Sequence, residues 1–295
     1  QEIYETPVKS ELIAQRISEI KAAGAVVCGS LTPQSVQQHY EVAVEAGLDI
    51  LVIQGTVISA EHVSTTVEPL NLKEFISEVP IPTVVGGCAS YSTGLHLMRT
   101  GAVGVLVGVG PGAACTTRGV LGIGVPQATA IADVAAARSQ HMLETGEYVN
   151  VIGDGGMRTG GDISKAIACG ADAVMIGSPL ARAKEAPGRG YHWGMATFHS
   201  SLPRGTRVTT VQDGTMEEIL LGPAHTNDGT FNLMGALRTS MATCGYEDIR
   251  SFQRAEMMIA PALMTEGKKL QQEQSVGMGS NGRAAVSAGV EVADD

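Results

Sequence analysis

No apolar run in this 295-residue sequence approaches the ~20 residues that a membrane helix needs, because Gly, Asp or Gln interrupts each one early. Basic charge is also short: 20 Lys and Arg stand against 30 Asp and Glu, a net charge of −10. That balance leaves no basic footprint for nucleic acid or an anionic membrane, so neither is expected as a partner. It decides little about a small anionic ligand, which backbone amides hold locally. The five cysteines, Cys28, Cys88, Cys115, Cys169 and Cys244, include no C-x-x-C pair. Their odd number and spacing fit a reducing cytosol, with at most one of them in chemistry. The seven histidines form no H-x-x-x-H or H-x-H pattern, so no metal site is expected from them. No basic, apolar, small-residue leader follows Gln1, and the chain is expected to be processed or truncated rather than targeted, and cytoplasmic.

What the sequence does contain is an alternation of short apolar runs with helical patterns. Strands are expected near Gly24–Cys28, Asp49–Gln54, Thr83–Gly86, Val103–Val109, Val149–Gly153 and Ala173–Gly177. Helices are expected near Pro33–Ala46, Leu72–Ser77, Ser92–Thr100, Pro126–Thr145 and Gly161–Cys169. Unbroken Val/Ile/Leu strands belong to a parallel sheet covered on both faces. The phrases EAGLDILVIQG, RTGAVGVLVGVG and ACGADAVMIGS each carry a helix end, a glycine stop and a buried strand. Such a repeat is α/β, either a barrel or a doubly wound sheet. The chain divides into a leading segment and helix (1–23), the βα units (24–190), loops over the site with a closing helix (191–265), and a tail (266–295) expected to be disordered. A helix is expected near Leu233–Thr243 in the third part.

The stretch GVGPGAACTTRGVLGIGVPQATAI, 108–131, is the most informative. A strand runs into a loop with Gly108, Gly110 and Gly112 and then reaches Cys115 among small residues. Glycines let backbone amides or carbonyls converge on an ion, and a cysteine at a strand end can attack an electrophilic carbon. A turn with a buried, inert cysteine is an equally good reading of the residue types alone.

This stretch closely resembles the active-site loop of the IMP dehydrogenase/GMP reductase family, Gly-x-Gly-Pro-Gly-Ser-x-Cys-Thr-Thr-Arg leading into Gly-Val-Pro-Gln. GDGGMRTGGDISKAIACGADAVMIGSPLARAKEAPGRG resembles that family's paired phosphate loops, and NLMGALRTSMATCG its closing helix. The likeness spans about residues 24–260, closest to the short bacterial proteins without the regulatory CBS pair. It implies a parallel (β/α)8 TIM barrel of which this chain holds about six units, the first two lying before Gln1. With those units would go a Ser and a Met that contact the nucleotide, and the chain alone is not expected to be a stable, active enzyme.

The resemblance also implies roles. Cys115 would attack C2 of a purine nucleoside monophosphate, and Thr117 would sit beside the C2 substituent. Asp154 would bind both ribose hydroxyls. Gly155 and Gly156, with Gly177 and Ser178, form the loops that would present amides and a hydroxyl to the 5′-phosphate. Gly194 and Met195, in HWGMA, would lie near the base. Carbonyls of Gly110, Gly112 and Cys115 would hold a monovalent cation such as potassium. NADPH or NAD would be the hydride carrier, and the assembly a homo-tetramer or octamer. Cys28, Cys169 and Cys244 are expected to be structural, His192 a plain loop histidine, Asp162 a helix-start charge and Asp172 a turn residue before a strand.

Four departures from the family bear on the reaction. No Arg-Tyr dipeptide, which activates water in the dehydrogenases, occurs in the chain. The dehydrogenases' Pro-Glu-Gly position is PRG with Arg204, which also puts in doubt the acidic partner of the reductases' catalytic Thr. Gln54 and Gly87 replace an Asp and an Asn at strand ends, and Ala113 replaces a phosphate-binding Ser. Loss of the water-activating base favours GMP reductase chemistry, GMP and NADPH giving IMP and ammonia. IMP dehydrogenase, a purine nucleotide-binding protein without turnover, and a flavin-binding barrel are the alternatives.

Overall fold

The computed structural model describes residues 8–55, 70–194, 207–258 and 266–277. The chain forms two units, Gln1–Gly155 with Gly170–Met175 and Trp193–Thr206, and Gly156–Cys169 with Ile176–His192 and Arg207–Asp295.

The first unit holds a six-stranded sheet: β1 (Cys28–Leu31), β2 (Ile50–Gln54), β3 (Thr83–Cys88), β4 (Gly104–Val107), β5 (Asn150–Asp154) and β6 (Ala173–Met175). Every neighbouring pair is parallel and the order in space is the order in the chain. Sequential parallel strands joined by helices are the topology of a (β/α)8 barrel, and six of its units are present among the described residues. Val52, Val84 and Leu106 form a buried cluster against which Ile50, Ile152 and Met175 pack. These side chains come from strands as far apart in the sheet as β2 and β6, so the sheet curves to bring its inner face together.

Helices 36–45, 72–78, 91–98 and 127–145 run between the strands. Their starts have local causes: the Asn71 side chain accepts the Glu74 N–H, and Ser90 accepts that of Thr93. Gly146, at φ 76, ends the longest of them.

The amino ends of the strands are tied by a repeated device. Before β2, Asp49 Oδ2 accepts the Val27 amide at 2.8 Å and Oδ1 takes the Lys21 ammonium at 2.9 Å. Before β6, Asp172 Oδ2 accepts the Val151 amide at 2.8 Å and the Arg138 guanidinium at 2.7 Å, and Oδ1 accepts from the Tyr148 hydroxyl at 2.6 Å. Asp172 is therefore more than the turn residue expected; it locks the start of β5 to the start of β6.

The first strand is displaced from its expected place near Gly24–Cys28. Gly24 takes φ 76 after helix 10–22, Val26 is 70% exposed, and the ladder begins only where Cys28 faces Ile50. Its register is set by the buried run of β2, not by its own apolar residues. β6 ends at Met175, two residues short of the expected Gly177.

In the second unit, helices 160–168 and 233–243 pack closely, with Gly160 against Ala236 and Ser164 Oγ 3.1 Å from Ser240 Oγ. Thr159 and Asp162 cap the first helix reciprocally, which gives Asp162 its place. Arg182 pairs with Asp213 through both nitrogens of its fork and lies 5.0 Å over the Phe231 ring. A short two-stranded sheet, β7 (Tyr191–Trp193) and β8 (Arg207–Thr209), stands where loops were expected. Helix 266–273 runs into the stretch expected to be disordered, and residues 278–295 lie outside the described ones. No helix among the described residues is long and apolar enough to cross a membrane.

Candidate active site

The carboxyl ends of the strands carry polar groups above the apolar cluster. Gln54 is the last residue of β2 and follows Ile50 and Val52 on the same face by the period of two. Asp154 ends β5 two residues after Ile152. Across the sheet, Gln54 Nε2 donates to Asp154 Oδ2 at 3.0 Å and lies 4.0 Å from Met175 Sδ. Ser30 of β1 donates to Gln54 Oε1 at 3.4 Å. Burial raises the Asp154 carboxyl from the ordinary aspartate value of 3.8 to about 6, and the Gln54 hydrogen bond only partly offsets it. Among the described residues the Asp154 side chain caps no helix or turn, and its partner is an amide from another strand.

Gly108 follows β4 at φ 151, and a Cβ there would collide with the Asp154 carbonyl. The space is used by Gln127, whose Nε2 donates to Val107 O at 2.5 Å and to Asp154 O at 3.3 Å. Both partners are acceptors, so the amide orientation is fixed. Its Oε1 is buried and has no hydrogen-bond partner among the described residues. Gln127 thus clamps the ends of β4 and β5 together. The expected motif contained this residue without a role for it, because a bond reaching 20 and 27 residues away has no local pattern.

Between them lies the cysteine loop. Cys115 is half-buried, and its amide donates to Gly112 O at 3.1 Å, closing a turn. The Cys115 thiol donates to Thr117 Oγ1 at 3.2 Å, and Thr117 is 4% exposed. Thr117 opens the short helix 117–121, which Gly122 ends at φ 67. Arg118 staples the loop, donating to Val109 O at 3.1 Å and Val125 O at 2.7 Å. Gly155 packs beside Pro111 and Gly112, and Gly194 beside the Ala114 carbonyl. Cys115, Thr117, Gly112, Gly155 and Gly194 are therefore brought together around one loop.

The other cysteines divide differently from expectation. Cys88 is buried against the Leu106 carbonyl, and burial pushes its thiol up to about 12, where it is inert at neutral pH. Cys28 and Cys244 were expected to be structural but are exposed. The displacement of β1 explains the first; Cys244 follows the last turn of helix 233–243, off its buried Leu233, Leu237, Met241 stripe.

In the second unit, Gly177 precedes the short helix 178–181 that begins at Ser178. Ser178 Oγ lies 3.2 Å from His192 Nε2, and His192 Nδ1 lies 2.6 Å from Thr210 Oγ1. His192 is thus a fixed partner of Ser178, not a plain loop histidine. Gly155 and Gly156 both take positive φ, 80 and 79. Met195 and Arg204 lie outside the described residues.

The carbonyls of Gly110, Gly112 and Cys115, expected to hold a monovalent cation, belong to this loop; that of Gly112 accepts the Cys115 amide, and Arg118 takes the flanking Val109 and Val125 carbonyls.

A family model described as IMP dehydrogenase / GMP reductase domain matches residues 9–269. An uncharacterized oxidoreductase of Mycolicibacterium smegmatis is 48% identical over 263 residues, 88% of this chain and 70% of the relative. An inosine-5′-monophosphate dehydrogenase of Methanocaldococcus jannaschii is 34% identical over 245 residues, 71% of this chain and 46% of the relative. Among solved structures, an IMP dehydrogenase/GMP reductase-like protein from Corynebacterium glutamicum is 46% identical with a TM-score of 0.81, covering 88% of this chain and 68% of that one.

Proposed function

The chain belongs to the IMP dehydrogenase/GMP reductase family of oxidoreductases, and from that premise we propose that it reduces GMP to IMP through a covalent adduct at Cys115. The observation that carries this reading is the Cys115–Thr117 pair: a thiol in the loop after β4, 3.2 Å from the hydroxyl of a buried threonine.

The Cys115 sulfur adds to purine C2 of GMP, and the amino group at C2 leaves as ammonia after taking up a proton. Thr117 stands beside the sulfur and relays that proton to the departing nitrogen. The reduced nicotinamide dinucleotide, NADPH or NADH, is the second substrate and supplies the hydride. That hydride forms the C2–H bond as the C2–S bond breaks, so that Cys115 leaves as thiolate and IMP is released. Two electrons pass to the purine and the nicotinamide is oxidised.

Binding falls to the other groups. Asp154 accepts the two ribose hydroxyls, as suits a carboxylate with several lone-pair sites. Amides of Gly156 and Gly177 and the Ser178 hydroxyl take the 5′-phosphate, with Gly155 in the same loop giving the turn. Gly194 lies near the base. The Ser178–His192 hydrogen bond supports the phosphate role, because it leaves a polar, oriented hydroxyl there. Ala113 offers only its amide. The direction toward IMP is supported by the absence of an Arg-Tyr pair from the sequence, since making XMP requires an activated water.

The test is to follow nicotinamide absorbance with GMP plus NADPH and, separately, IMP plus NAD. Oxidation of NADPH with ammonia release is expected from the first mixture. Steady XMP formation from the second would replace this reading with IMP dehydrogenase, and binding of GMP without any turnover would reduce it to a nucleotide-binding protein.

A further inference from the structure

We propose that Gln54 is a positioning residue that aims the Asp154 carboxylate at the ribose and so makes the site select ribonucleotides. This deepens the reading above and rests on Asp154 as the ribose ligand.

The two residues end strands that are not neighbours in the sheet: β3 and β4 lie between β2 and β5. Gln54 nevertheless reaches Asp154 Oδ2 at 3.0 Å. The intervening strands carry Gly86 and Gly108 at their exits, and a Cβ at Gly86 would collide with Leu106. Neither glycine adds a side chain of its own along the line that Gln54 spans.

The amide is oriented from behind. Ser30 donates to Oε1, and so the Nε2 end is left for the carboxylate. Asp154 also has its backbone fixed, because Gln127 Nε2 donates to its carbonyl at 3.3 Å. Backbone and side chain are therefore pinned by two different glutamines from two different elements.

A neutral donor does here what no carboxylate could. Gln54 occupies one acceptor position on Oδ2 without adding charge, and leaves Oδ1 and the remaining lone pair for donors from outside. A vicinal diol presents two such donors, and a fixed carboxylate meets both at once. An acidic side chain at residue 54 would instead face Asp154 with like charge, and one of the two would have to hold a proton. Without Gln54, the carboxylate is free to rotate and must be ordered by the ligand itself.

The experiment measures binding of GMP and of 2′,3′-dideoxy-GMP by calorimetry to the full chain and to Gln54→Leu, Gln54→Met and Asp154→Ala. The dideoxy nucleotide lacks both hydroxyls and reports everything but the ribose contact. The preference for GMP should fall about tenfold or more in both Gln54 variants, as expected for lost hydrogen bonds to a charged group, while dideoxy-GMP affinity stays as it was. Gln54→Met keeps the length and volume of the side chain, so the measurement survives if the Leu variant misfolds. A preference that persists in both Gln54 variants but collapses in Asp154→Ala overturns the proposal and spares the ribose role of Asp154. A preference that persists in Asp154→Ala overturns the ribose role itself, and the proposal with it.

Discussion

The two ends of the parallel sheet use the same residue, aspartate, in opposite ways. At the amino ends, Asp49 and Asp172 are saturated: each meets a cation and a backbone amide, and Asp172 a tyrosine hydroxyl as well. The Lys21 ammonium and the Val27 amide hold the Asp49 carboxyl below its ordinary range. At the carboxyl ends, Asp154 has one neutral side-chain partner among the described residues, and burial lifts it to about 6. The glutamine beside its backbone keeps a buried oxygen with no partner among the described residues. One end is built to be stable; the other holds polar groups underused until something binds. That division is the one expected of a barrel whose loops after the strands carry the chemistry.

The contrast can be broken at either end, and the largest effect is expected at Thr117. Thr117→Ala removes the hydroxyl beside the Cys115 sulfur without touching the sheet. Turnover of GMP should fall roughly 10²–10⁴-fold, as for other lost proton transfers, with little change in melting temperature. A variant that keeps its rate would remove Thr117 from the proton path.

Asp172→Ala should do the reverse. It leaves the largely buried Arg138 guanidinium without its carboxylate, and cutting one partner from such a pair costs about 3 kcal/mol or more. Denaturant unfolding should show that loss, while GMP still binds the protein that remains folded. Loss of binding with unchanged stability would erase the distinction between the two ends.

Asp154→Asn sharpens the comparison because its two effects have opposite signs. The folded carboxyl at about 6 lies above the unfolded value of 3.8, so the folded chain holds the proton more tightly. Its contribution to stability is complete below about pH 4 and is lost as pH rises through 6. The Asn variant should therefore be more stable than the parent at pH 8, by up to roughly 3 kcal/mol, and no more stable at pH 4. Nucleotide affinity should fall at pH 8. A variant less stable than the parent at pH 8 would contradict the account of Asp154 as a strained, ligand-ready group.

Much of the sheet was legible in the sequence because buried parallel strands read as continuous apolar runs; β2 to β5 lie within two or three residues of their expected places. β1 was not, since an edge strand takes its register from its neighbour and Val26 is left outside. The cysteine loop was legible because glycines, cysteine and threonine sit together in the chain. What escaped the sequence was everything made by distant partners. Gln127 is defined by two carbonyls on different strands, and His192 by Ser178 and Thr210. Asp172 was placed correctly before its strand, but the ion pair that gives it meaning comes from Arg138, 34 residues earlier. No period or motif encodes such pairings; only the fold brings them within reach.

Chemistry is assigned to the carboxyl ends of the strands and, among the five cysteines, to Cys115. That assignment is tested most directly by treating the protein with 6-chloropurine ribotide, whose reactive carbon requires a bound nucleotide and a nearby thiol, and mapping the modified peptide by mass spectrometry. Cys28 and Cys244 are exposed and Cys115 is only half so, and access alone would label the first two. One modified cysteine is expected, Cys115, protected when GMP is present. Labelling of Cys28 or Cys244 with Cys115 untouched, or labelling that GMP does not slow, would contradict it.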